Sequence, residues 1–271
     1  MRTTMQRLRE AKSARAFAFE VLVVMVGVLL ALGAQQVADA WQGRSKARAA
    51  EQALALEQAD AFATVAEHTI VAPCIVAQLD RLEAALLAPP PWKPVQMVTP
   101  RGDVIRHPRR SIYNTAWRNV EGDGTLAYLR QVRSRLHQSF YGELDSYLTE
   151  YDMVNDGLDR LALLSRPIQL DAHSRNQLLG DIVTLRIKTL ASSNNAGQLM
   201  ARLDMLGNIA TRASSIDTVG YLLDSEFRSQ PDVSAGYCVA HDLPIGNWRA
   251  ALAKGREDMG YPKGTTPPLM R

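Results

Sequence analysis

Residues 136–161 read LHQSFYGELDSYLTEYDMVNDGLDRL. Within them Phe140, Leu144, Tyr147, Tyr151, Val154, Leu158 and Leu161 are spaced 4-3-4-3-4-3, and Leu136 lies four residues upstream. A helix stacks residues three and four apart on one face, so this spacing draws one continuous apolar stripe; a strand would need alternation with period two. Glu143, Asp145, Glu150, Asp152, Asp156 and Asp159 fall mostly off the stripe. They read as a solvated face rather than as a catalytic pair.

The same spacing recurs on both sides. Downstream, Leu178, Ile182, Leu185, Thr189, Ser192, Ala196, Leu199, Leu203 and Leu206 continue 4-3 for eight steps. Upstream, Ile75, Leu79, Leu82 and Leu86 give 4-3-4. Such coiled-coil-like stripes are the seams of helices packing in a bundle. No stretch alternates cleanly, and Asp123-Gly124 falls between helical patterns rather than between β-branched runs. The expected fold is all-α, an antiparallel helical bundle.

Glycine and proline punctuate these helices. Pro73 is expected to kink or break the first one just before Cys74. The segment 89–110 holds prolines at 89, 90, 91, 94, 100 and 108, so it is an extended loop with polyproline character. Gly122 and Gly124 separate a helix at Trp117 from one at Leu126–Leu136; Arg166-Pro167 ends the Phe140 helix, and Asp171 is positioned to cap the next. Gly207 and 213–215 mark a further turn, and the tail 261–271, with three prolines, is expected to be disordered.

Residues 16–34 read AFAFEVLVVMVGVLLALGA, with Glu20 the one charge. As a helix this spans about 28 Å, close to the hydrocarbon core of a bilayer. It follows a head, residues 1–15, with a formal charge of +4, while the whole chain carries +3. Basic flanks stay cytoplasmic, which places the helical domain, 35–260, across the membrane. Trp41 sits where an interfacial anchor would. Ala38-Asp39-Ala40 offers a signal-peptidase site, so a cleaved, soluble protein is the alternative; the helix-favouring run from Gln35 to Glu57 favours an uncleaved signal anchor. Glu20, Gly27, Ala31 and Ala34 share a stripe on the spanning helix. Either Glu20 snorkels to the cytoplasmic edge or the stripe contacts another membrane helix, a partner protein's or a second copy's.

Composition narrows the function classes. With 46% hydrophobic and 22% charged residues the chain folds, and its two cysteines exclude a disulfide-dense scaffold. The net positive charge lies in the head, the remaining residues summing to −1, rather than along a folded face, so no nucleic acid is expected as partner. The five histidines show no metal-ligand spacing, and no phosphate-binding, dinucleotide or nucleophile-elbow motif occurs. No cofactor and no catalytic residue is expected. The run Arg106, His107, Arg109, Arg110 reads as a solvated loop or a site for an anionic surface. Cys74 and Cys238, 164 residues apart, are candidates for one disulfide on the extracytoplasmic side. Thr189, Ser192 and Asn195 interrupt the long seam with polar groups: they mark a turn at 194–197 or line a polar pocket.

The basic head, Phe19-Glu20, the run Gly27-Val28-Leu29-Leu30-Ala31-Leu32 and Trp41, followed by Thr115-Ala116-Trp117, Gly124, Leu126 and Tyr141, resemble a group of bacterial single-pass inner-membrane proteins of uncharacterised activity. The resemblance implies an anchor and a helical domain, with no activity, substrate or cofactor. The expected function is therefore non-catalytic: a periplasmic domain, scaffold- or sensor-like, that binds a partner protein or a small ligand. The rival is a periplasmic enzyme with a site assembled from distant residues such as His137 or His241.

Overall fold

The computed structural model describes residues 2–89, 92–99, 102–166, 168–206 and 234–260, with side chains at 19 and from 21 onward. The turn expected around Gly207 and 213–215 and the tail 261–271 lie outside them. Six α-helices are described: α1 (Arg2–Leu87), α2 (Thr115–Gly122), α3 (Gln131–Arg160), α4 (Ala172–Met205), α5 (Ser234–Ala240) and α6 (Trp248–Asp258). Short 3-10 turns cover Thr125–Tyr128 and Leu161–Ser165, and no strand occurs among the described residues. The fold is all-α.

The chain divides into two compact units, residues 1–51 with 120–129 and residues 52–119 with 130 onward. In the first, Val21–Ala34 is exposed on every face. The helix containing it is long and apolar enough to cross a membrane. Gly43 and Ala47, one turn apart, are buried, and the Tyr128 ring lies so close to Gly43 that a Cβ there would collide with it.

In the second unit all three seams are buried. Helices α1 and α3 run parallel: Gln58 meets His137 and His68 meets Tyr147, both at a separation of 79 residues. The long connection between them makes this parallel pairing feasible. Helix α4 runs against α3, since the pairs 157/185, 150/195 and 139/202 descend as they ascend. It also runs against α1, through Arg186 with Asp80 and Glu83. Asp171 caps α4 by accepting from the Ser174 N–H at 2.7 Å.

Three sequence expectations are corrected. Pro73 does not break α1, which continues to Leu87. Proline removes the N–H that would bond the Thr69 carbonyl, and the segment before α6 packs on that turn: the Gly246 N–H donates to the Ile70 carbonyl at 2.7 Å, and a Cβ at Gly246 would strike the Thr69 carbonyl. The 194–197 stretch is no turn; it lies inside α4, where α6 crosses close against Gly197. Leu126–Leu136 is not one helix but a 3-10 turn, an extended Leu129 and the start of α3.

Candidate functional site

Helix α1 places polar side chains where a bundle normally holds apolar ones: Glu57, Gln58, Glu67 and His68 face α3 and the 106–116 segment. Glu57 accepts from the N–H groups of Ala116 at 2.7 Å and Trp117 at 3.3 Å, and from the Tyr141 hydroxyl at 2.7 Å. It thereby satisfies the open N-terminus of α2 from another helix. Trp117 stacks on Tyr141 with centroids 4.7 Å apart. Gln58 bonds His137 at 2.9 Å, and burial lowers the His137 pKa to about 4. Glu67 is buried against Arg110 at 2.6 Å; desolvation raises its pKa and Arg110 opposes the rise.

His68 stacks on Tyr151 at 4.0 Å and hydrogen-bonds the Tyr147 hydroxyl through Nδ1. Burial lowers its pKa to about 3, so the ring is neutral. The neutral ring and the protonated phenol share one hydrogen between His68 Nδ1 and the Tyr147 hydroxyl. His68 Nε2 and Thr189 Oγ1 have no hydrogen-bond partner among the described residues. His68, Thr189, Ser192, Ser193 and Asn155 line a cavity of about 30 Å³. That is room for about one water, with an imidazole nitrogen and a hydroxyl to hold it. Burial also raises the pKa of Tyr147, and that of Tyr151 to about 12, so neither phenol is a base at neutral pH.

A larger cleft lies on the other side of α1. Its volume is about 500 Å³, in the range of small-molecule sites. Gln78, Arg81, Leu82 and Ala85 form one wall; Cys74, Gln78, Arg81 and Ala85 follow 4-3-4 spacing on that face. Tyr237 of α5 and His241, in the turn after it, form the second wall and Val95–Val98 with Val104 the third. The walls are tied together. Cys74 and Cys238 are joined by a disulfide with Cα atoms 6.0 Å apart, both fully buried. The Gln78 amide grips the Arg106 backbone twice, accepting from its N–H at 2.7 Å and donating to its carbonyl at 3.1 Å. Val95 N–H bonds the Leu164 carbonyl at 3.0 Å. Burial raises the Tyr237 pKa, while Arg81 and Arg106 act against the rise.

The residues singled out in the sequence are placed as follows. Cys74 and Cys238 are together, Cys238 on helix α5. Thr189 and Ser192 line the small cavity; Asn195 instead donates to Glu150 at 2.8 Å. Gly27, Ala31 and Ala34 are exposed, and the side chain of Glu20 is outside the described residues. His241 is at the rim of the cleft and His137 in the core, so the structure does not bring these two into one site. In the basic run Arg109 and Arg110 are exposed but paired, Arg109 with Asp103 and Asp159 and Arg110 with Glu67, while His107 is buried. The acids Glu143, Glu150 and Asp159 likewise have partners, while Asp145, Asp152 and Asp156 are exposed. No group of three or more His, Cys, Asp or Glu side chains among the described residues is arranged to hold a metal.

The cleft was missed because Arg81 and Tyr237 are far apart in sequence and neither breaks a pattern. No protein-family model, curated protein or solved structure matches the chain.

Proposed function

We propose that this is a single-pass protein of a bacterial inner membrane whose helical domain lies in the periplasm and works by binding, as a scaffold or sensor, rather than by catalysis. The observation that carries this reading is the Cys74–Cys238 disulfide downstream of an apolar helix. Disulfides persist where the surroundings are oxidising and are rare in the cytosol. The basic head before that helix favours the same orientation. The continuity of α1 through Ala38–Ala40 favours an uncleaved anchor, since a peptidase needs an extended strand there. The cleft supplies a place for a ligand.

A reporter active only in the periplasm, fused after Arg271, tests this. Activity together with retention in the membrane through alkaline carbonate is the expected result. An inactive reporter would overturn the orientation, and release by carbonate would overturn the anchor.

A further inference from the structure

We infer that the cleft between α1, residues 95–98 with Val104, and α5 binds a water-soluble amphipathic carboxylate, its acid group taken by Arg81 and the Tyr237 hydroxyl and its apolar body by Val95, Val98 and Met97. The inference rests on reading this domain as a binding module, and gives that module its ligand class.

Charge comes first. Among the described residues that line the cleft there is no carboxylate, and Arg81 is the one permanently charged group. Among the described residues Arg81 has no acidic partner within ion-pair distance, whereas Arg109, Arg110, Arg186 and Arg256 each have one. A cationic ligand would meet repulsion and nothing to offset it. Arg81, exposed, and Tyr237 line the same cleft, and a guanidinium and a phenol O–H together offer a forked donor and a single donor, the pattern that satisfies the two oxygens of a carboxylate.

The walls decide the rest of the ligand. Leu82 and Val104 are buried behind the cleft; its open apolar lining is Val95 and Val98, both half-buried, and Met97, an adaptable side chain at 55% exposure. A small inorganic anion would occupy only a corner of about 500 Å³ and leave these side chains against water. An acid with an apolar body covers them. The site is also set before a ligand arrives. The disulfide fixes α5 to α1 next to Tyr237, and Gln78 fixes the third wall one turn from Arg81. Little ordering remains to be done on binding.

Calorimetric titration of 2-naphthoate into the full chain in nanodiscs, with empty nanodiscs as blank, tests the inference. The neutral isostere 2-naphthamide and the variants Arg81→Met and Arg81→Lys complete the set. Saturable binding of the acid is expected, with the amide at least tenfold weaker. Arg81→Met should weaken the acid at least tenfold and leave the amide unchanged, and Arg81→Lys should restore part of the loss. No saturable heat from the acid, or equal affinity for acid and amide, would overturn the inference; this comparison uses the native chain and does not depend on any variant folding. If the topology reporter is active and the acid does not bind, the ligand class fails alone. If the reporter is inactive, the reading beneath it fails whatever binds.

Discussion

Gly197 of α4 and Gly255 of α6 meet backbone to backbone: a Cβ added to Gly255 would collide with the Gly197 carbonyl, and one added to Gly197 would lie 2.8 Å from the Ala251 carbonyl. Ala196 and Gly197 are buried, and Arg256 reaches Asp204 at 2.8 Å beside the crossing. Small residues let the axes approach to this distance, and neither side has a flexible side chain that could yield. Gly255→Ala should therefore destabilise the domain by about 1–3 kcal/mol, the range for overpacked cores. That loss outweighs the roughly 1 kcal/mol that alanine gains over glycine in a helix. Thermal melts followed by circular dichroism should show a lower midpoint; an unchanged or raised midpoint would mean the helices can part at no expense.

The disulfide makes a chemical prediction. Native protein, denatured without reductant, should not react with maleimide at Cys74 or Cys238, and the described residues contain no other cysteine. Closing a loop across 164 residues removes chain entropy from the unfolded state worth about 5 kcal/mol in the simplest treatment. Reduction should therefore lower the melting temperature. It should also weaken any cleft ligand, because α5 loses its tie to α1. Free thiols in the unreduced, unfolded protein would exclude the bridge.

How far these features are legible in the sequence depends on how local their cause is. The seams at Ile75–Leu86, Phe140–Leu161 and Leu178–Leu206 are written in the spacing of neighbouring residues, and every position is buried. The cap at Asp171 is equally local. Gly197 is different. In the sequence it sits among Ser192, Ser193, Asn194 and Asn195 and resembles a break; only the arrival of Gly255, 58 residues later, makes it a helix contact. Pro73 likewise does not end α1, and the segment at Gly246 that packs on the turn before it comes from far along the chain. The polar face of α1 has partners 43 to 84 residues away, so Glu67 and Glu57 look like surface acids until the fold closes.

Glu57 makes the consequence of that closure measurable. Its carboxylate holds two backbone N–H groups at the start of α2 and the Tyr141 hydroxyl. Glu57→Ala leaves all three without that acceptor and should cost about 2–3 kcal/mol, the scale of hydrogen bonds to a charged group. Tyr141→Phe removes one of the three and should cost less, about 1 kcal/mol. Denaturant titration of the two variants gives the ranking. If Tyr141→Phe is the more damaging, Glu57 is not the organising group of this cluster.

The buried histidines predict how stability responds to acid. Desolvation lowers the His68 pKa to about 3 and the His137 pKa to about 4, against 6.5 when unfolded. Between these values the unfolded chain binds protons that the folded chain refuses, so acidification favours unfolding. Their contribution is complete above about pH 6.5 and is lost as pH falls towards 4, at about 1.4 kcal/mol per unit for each ring. His107, also lowered by burial, acts in the same direction. Glu67 acts oppositely: its raised pKa means the folded state binds the extra proton just above the ordinary carboxylate range, which stabilises it there. Three imidazoles against one carboxyl leave a net decline. Denaturant titrations at pH 7.5, 6 and 5 should show falling stability, and His137→Gln, which keeps an amide against Gln58 but cannot titrate, should flatten the slope. A stability that is level from pH 7.5 to 5 in the native chain would show that these rings are open to water and already titrate as they do in the unfolded state.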